Sequence, residues 1–222
     1  MELKEFFIKY ETIVDMIDNI FSKVKAEHSE NVKCKEGCSD CCYALFDLIL
    51  IEALYINNKF NEKFSGNEKV SVLEKASKVD RKIYKLKKEA YTEYKNGKSE
   101  IEILGKMAME KVRCPLLNKN NLCDLYENRP ITCRLYGIPT SSGGVSHICG
   151  NSGFKQGESY PTVNMDTIHK QLYDLSKEVS VYLESKYPKL ADMLIPLSMA
   201  IITEFTEEYL GMPDKEGKED VQ

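Results

Sequence analysis

The chain has no long uninterrupted apolar run. Its most hydrophobic stretches, YALFDLILIEALYI and MLIPLSMAII, are too short or too charged to cross a bilayer, so no membrane span is expected. The first residues, MELKEFFIKYETIVDMIDNIF, lack a basic start, an unbroken apolar centre and a small-residue cleavage site, and so do not read as a secretory signal. A Ser/His/Asp set, a paired-carboxylate motif and a phosphate loop are all missing, which removes the usual hydrolase and nucleotide-enzyme readings. No internal repeat is visible. Positive charge is not in excess: Lys and Arg number 31 against 35 Asp and Glu, a net charge of −4. That balance gives no overall pull toward nucleic acid or anionic lipid. The expected setting is the cytoplasm, and the expected partner an unidentified protein or small molecule rather than nucleic acid.

What is present is cysteine, and it is concentrated. All eight cysteines of the 222 residues fall in two groups. Cys34, Cys38, Cys41 and Cys42 lie within CKEGCSDCC; Cys114, Cys123, Cys133 and Cys149 follow after a gap of 71 residues. A chain that is 42% hydrophobic can build a core without cross-links, and a cytoplasmic protein keeps its thiols reduced. Metal ligation therefore outranks disulfides and a lone reactive thiol, because thiolates are soft anionic ligands for zinc and iron–sulfur centres. Two zinc sites of four cysteines each, or a [4Fe–4S] cluster with cysteines to spare, both satisfy the count. Cys41 and Cys42 are adjacent, and neighbouring side chains usually point apart. Either the backbone bends there, or the two serve different centres, or one is not a ligand.

The fold class expected is mainly α. Apolar residues at three- and four-residue steps predict an amphipathic helix over 3–27. A buried helix is expected from Cys42 to about residue 58 and a long charged one over 67–95. Gly97 ends the latter, and a Ser99/Glu102 capping box opens a further helix to about 111. The stretch 59–98 holds twelve Lys/Arg against six Asp/Glu; without aromatic interleaving or a nucleic-acid motif it reads as solvated helix. Residues 112–160 predict turns and short elements, including a hairpin in CPLLNKNNLCDLY. A short helix is expected in NRPITCRLYG, with Pro130 first inside it and Gly137 just past its end. Two more helices are expected at about 163–186 and 188–210, with Pro196 as a kink or restart. The organisation expected is one domain over 1–212. Its metal module is formed by 30–58 and 112–150, with a helical insert at 59–111, C-terminal helices over 162–210 and a charged flexible tail at 213–222.

Spacing alone admits another reading. Cys34-x3-Cys38-x2-Cys41 is the spacing of radical S-adenosylmethionine enzymes, but Asp40 stands where those carry an aromatic residue. The loop also follows a helix rather than the first strand of a barrel. CKEGCSDCC, then CPLL, then CDLYENRPITCRLYG instead resembles the YkgJ-type cysteine-cluster family, a zinc- or iron-chelating domain with a C-x3-C-x2-C-C signature. Pro115, Leu116, Tyr126, Arg129, Pro130 and Arg134 fall on the pattern with the cysteines, over roughly residues 30 to 150. The resemblance implies that Cys34, Cys38, Cys41, Cys42, Cys114, Cys123 and Cys133 are metal-associated, with Cys149 completing the set. A similar cysteine domain occurs in flagellin lysine methyltransferases, which implies an iron–sulfur cluster, favoured here over zinc, in support of a redox or protein-modifying activity. The competing reading is a non-catalytic zinc-binding interaction module or a metal-handling protein.

Other residues carry weaker expectations. Arg129 and Arg134 can donate to cluster sulfurs or bind an anionic ligand, or can pair with acids such as Asp124 or Glu127. His147, two residues before Cys149, can replace a cysteine as ligand or stand free in a loop. His28 and His169 read as surface residues, and Tyr126 as packing.

Overall fold

A stripe of apolar residues on one side of an otherwise charged segment forms a helix that buries that stripe. The first helix does this over 24 residues. In the computed structural model, which describes residues 2–213, α1 spans Lys4–Glu27 and buries Phe6, Tyr10, Val14, Ile17 and Val24. The fold is mainly α. Further helices are α2 (Leu50–Lys63), α3 (Gly66–Lys95), α4 (Glu100–Met109), α5 (Ile131–Leu135), α6 (Met165–Tyr182) and α7 (Leu197–Ile202). Strands are short: β1 (Asp47–Ile49), β2 (Thr140–Ser142), β3 (Val145–His147), β4 (Val163–Asn164) and β5 (Leu194–Pro196).

α2 is the centre of the packing. Leu50, Ile51, Ala53, Leu54, Tyr55 and Ile56 are all buried, so it has no solvent face over its first two turns. It shares the hydrophobic core with residues of α1, α3, α6 and α7, together with Leu116, Leu125, Ile131 and Leu135. The one buried acid of α2, Glu52, joins three elements: its carboxylate accepts from Tyr10 of α1 at 3.1 Å and from the Ile131 N–H of α5 at 3.0 Å. A buried carboxylate with two donors replaces its lost water by directed bonds.

Three expectations need correction. The helix expected from Cys42 starts at Leu50 instead. Before it the chain makes a 3₁₀ turn over Asp40–Tyr43 and then β1, which pairs antiparallel with β5 in the register Leu48↔Ile195. An apolar run buried on every side has no periodicity to separate strand from helix, and pairing decided the matter. The helix expected over 188–210 is broken into a 3₁₀ turn at Leu190–Asp192, β5 and the six-residue α7. Pro196 lacks an N–H, so it ends β5 and serves as the N-cap from which α7 restarts. Pro130 is the N-cap of α5 rather than its first helical residue.

Other elements follow the sequence closely. Ser99 and Glu102 form the reciprocal capping box at the start of α4, and Asn164 caps α6 by accepting from Asp166 and Thr167. Gly143 and Gly144, both at positive φ, make the two-residue turn between β2 and β3. The charged tail expected at 213–222 lies, from residue 214 on, outside the described residues.

Candidate metal centre

The cysteines arrive on four separate pieces of chain. The first is the loop after α1. Gly37, at φ +80°, permits the turn in which the Cys38 N–H bonds the Lys35 carbonyl. The 3₁₀ turn that follows carries Cys41 and Cys42. This turn answers the question of the adjacent pair: the backbone bends, and both residues line the same cavity.

The second piece docks on the first through its backbone. The Val112 N–H donates to the Tyr43 carbonyl at 3.0 Å, and the Cys114 N–H to the Cys42 carbonyl at 2.7 Å. Beyond it lies the expected hairpin. Asn118 and Leu122 pair at 2.9 Å, the Asp124 N–H reaches the Leu116 carbonyl at 2.8 Å, and Leu117 bridges to Cys123. The Asn118 side chain holds the turn by accepting from the N–H groups of Asn120 and Leu122. Cys133 comes on the third piece, α5. Cys149 follows β3 on the fourth, which is tied back to the first loop by the Gly153 N–H to the Asn31 carbonyl at 2.7 Å.

All eight cysteines line one cavity of about 590 Å³. Cys38 is exposed and the other seven are half-buried. Among the described residues, no three His, Cys, Asp or Glu side chains are gathered tightly enough to grip a single ion. Cys41 is the hub. Hydrogen bonds from the thiols of Cys133 and Cys42 pull it down, and it is the group most ready to be a thiolate. The same bonds hold protons on Cys42 and Cys133, whose values rise, with burial adding to the effect. Burial pushes Cys114 up to about 12, against the pull of the Leu116 and Leu117 N–H groups and with Cys123 and Cys41 adding to the rise. Cys34 is pushed up to about 11, first by burial and then by Cys38, Cys149 and Cys41. The thiols thus fall into two neighbourhoods. Cys42, Cys114, Cys123 and Cys133 each interact electrostatically with Cys41, while Cys34 interacts with Cys38 and Cys149 and also with Cys41.

Several features suit these sulfurs to a soft metal. Backbone N–H groups of Leu116 and Leu117 face Cys114, that of Leu125 faces Cys123, and the Asn151 N–H donates to Cys149 at 3.4 Å. Such donors stabilise thiolate charge and fix its direction. Arg129 is the cation of the site. Its guanidinium lies 4.0 Å above the Tyr126 ring and lowers Cys34, Cys41 and Cys123, and its Nε is buried without a hydrogen-bond partner. An orphaned donor beside thiols is the complement of a ligated sulfur. Gly137 stands just past the end of α5, as expected, and has a second reason to be small: a Cβ there would lie 2.1 Å from Cys34 Sγ, so its bareness makes room for the sulfur. The donor set and its surroundings fit a thiolate-bound centre.

The remaining candidates go elsewhere. Arg134 borders the cavity, but its donors are taken by Asp18 of α1 at 2.5 Å, by the Arg129 carbonyl at 2.9 Å and by the Glu127 carbonyl. Asp124 accepts instead from Asn118. His147 is exposed on β3 and does not line the cavity, and His28 packs edge-on against Phe154 and Tyr160. Two residues beside the cysteines carried no expectation from the sequence: Tyr136, which lines the cavity, and Asp40, which reaches one of its thiols. Asp40 accepts from the Cys149 thiol at 3.6 Å, and Tyr136 faces Asp40, which together with burial raises its phenol.

The site is a chamber lined by eight thiols in a mainly helical frame. Residues 33–150, more than half of the chain, match the CxxCxxCC family, described as a "putative zinc- or iron-chelating domain", and the chain belongs to that family. No curated protein and no solved structure matches it.

Proposed function

We propose that this chain is an iron–sulfur protein whose eight cysteines are the metal-associated residues. The observation that carries the reading is that all eight line one cavity with Cys41 common to both neighbourhoods. Two independent zinc sites require a division into four and four closed sets. Here five thiols, Cys41 among them, form one group and three, Cys34, Cys38 and Cys149, the other, with Cys41 acting on both, which suits one polynuclear centre better. A bound iron–sulfur cluster supplies one-electron transfer at a potential tuned by hydrogen bonds to sulfur and by exposure.

The chain's own contribution is to fix those sulfurs. Backbone N–H groups hold Cys114, Cys123 and Cys149, Arg129 offsets negative charge, and the apolar wall of Phe21, Phe46 and Leu125 limits water. Segments 30–58 and 112–150 act as the two halves of one module, with 59–111 as its insert, in a cytoplasmic setting that keeps the thiols reduced. The role supported is redox, or protein modification that draws on it.

Anaerobic purification followed by iron, zinc and acid-labile sulfide analysis tests this. Coloured protein with iron and sulfide is the expected result. Colourless protein with about two tightly held zinc ions per chain overturns it and leaves a closed zinc module that serves structure or interaction.

A further inference from the structure

α3 has two unlike sides. Val79 and Ile83 face inward and help wall the cavity. Outward, three- and four-residue steps from Lys78 to Lys95 put Lys78, Arg81, Lys85, Lys88 and Lys95 on one face, with Tyr84 and Tyr91 between them. All seven are exposed, Tyr84 by 64% and Tyr91 by 60%. The aromatic interleaving that the linear sequence seemed to lack is therefore present on the helix surface.

Charge is segregated around this face. Of the acids between Lys78 and Lys95, only Glu89, four residues from Lys85, borders it. Asp80 accepts from Ser198, Glu93 is held by Lys98 and Lys106, and Glu89 sits at the edge, where it acts on Lys106 of α4. Lys87, on the inner side, pairs with Asp47 at 2.7 Å. By contrast the side chains of Lys78, Arg81, Lys85 and Lys88 have no hydrogen-bond or ion-pair partner among the described residues, and Lys95 lies 5.4 Å over the Tyr91 ring. Like charges at such spacings weaken a helix, so an uncompensated stripe on a net-negative chain is complementary to an external polyanion.

The side chains between the cations select among polyanions. A lipid surface is gripped by aliphatic and large apolar residues entering the acyl boundary, and this span of the face has none. Exposed rings beside cations suit bases carried on a phosphate backbone, and only unpaired bases have free faces to stack. Lys78 to Lys95 covers about 25 Å of helix. We propose that the outward face of α3 binds single-stranded nucleic acid. The five cations follow the phosphates, and Tyr84 and Tyr91 stack bases. The reading is independent of which metal the cysteines hold.

The test is fluorescence anisotropy of a labelled single-stranded oligonucleotide with the anaerobically purified full chain, over a range of salt. Five phosphate contacts give a slope of log K against log salt of about −3.5, and the Lys85→Gln, Lys88→Gln pair brings it to about −2. Tyr84→Ala and Tyr91→Ala each weaken binding about fivefold or more with the slope retained. Circular dichroism and metal content matching the unmodified protein confirm that these surface variants fold. Absence of binding at low salt overturns the proposal, as does a slope unchanged by the lysine pair. Tyrosine variants without effect, or preference for polyglutamate or for phosphatidylserine vesicles, also overturn it and assign the face to an acidic protein or a membrane.

Discussion

Gly137→Ala separates a metal ligand from an ordinary buried thiol. The Gly137 backbone is not in the left-handed region, so alanine meets no strain of its own there. The whole conflict is with one atom: the added Cβ lies 2.1 Å from Cys34 Sγ, where ordinary contacts begin near 3.4 Å. A free thiol escapes by turning about its first side-chain bond, at a cost of about 0.5–1.5 kcal/mol if it settles off a rotamer minimum. A ligated sulfur cannot turn without leaving the metal. The loaded protein then either loses that ligand or over-packs the loop, the latter costing about 1–3 kcal/mol. Thermal melting of loaded and metal-free protein, with the rate of metal loss to a chelator, reads the difference. The expected outcome is a small shift in the metal-free form and roughly 10- to 100-fold weaker retention in the loaded form, the range seen when the surroundings of a ligand are disturbed. Repeating the change in a Cys34→Ala background removes the clash and with it the added cost. Wild-type retention by Gly137→Ala refutes ligation by Cys34, and an equal loss of stability in both forms assigns the contact to packing alone.

Cys41→Ser removes the thiol common to both neighbourhoods and is expected to abolish metal binding, whereas Cys38→Ser, at the exposed thiol, retains part of it; metal per chain decides, and the reverse order refutes the hub. Chelation is expected to leave helical circular dichroism largely intact while hydrogen exchange quickens in 34–43 and 112–124. The reason is that backbone bonds and the α-helical core already close the loop between the cysteine groups; global unfolding on chelation contradicts this. Arg134→Lys gives up the fork shared by Asp18 and two carbonyls and is expected to cost on the order of 2 kcal/mol in denaturant melts, a modest figure because Asp18 is 45% exposed. Burial raises the Glu52 carboxyl above its usual 4.5, against the pull of the Ile131 N–H, Tyr10 and Arg134. Protonated Glu52 is therefore favoured by the fold. Its contribution is complete below about pH 4.5 and is lost as pH rises through the raised folded value. Glu52→Gln is expected to flatten that decline in a pH series of melting midpoints, and an unchanged profile refutes it.

Local signals carried most of what the sequence disclosed. α1, α3 and the capping box of α4 were legible because periodicity and caps act within a few residues. The Asn118 turn was legible because its side chain bonds its own backbone. What misled was burial from all sides. The apolar runs before α2 and around Pro196 look continuous in sequence, yet β1 and β5 pair across almost 150 residues, a choice made by tertiary structure and invisible to any window. The candidate site divides in the same way. Spacing named the eight cysteines, which now line one cavity, but spacing could not show that Arg134 turns to Asp18, 116 residues away, while Arg129 stays with the thiols.

Gly137 is the instructive case. In sequence it read as a helix terminator, since glycine after a short helix usually supplies positive φ. Here the backbone needs no such freedom, and the residue is small because a sulfur from another segment occupies the space. The same inversion holds for the Cys41–Cys42 pair, whose adjacency suggested divergence until the 3₁₀ turn brought the two thiols together. In both places the sulfur geometry, rather than the local chain, explains the residue. Backbone donors face several of these thiols and the unpartnered Arg129 N–H lies beside them, surroundings that support the proposed shared centre.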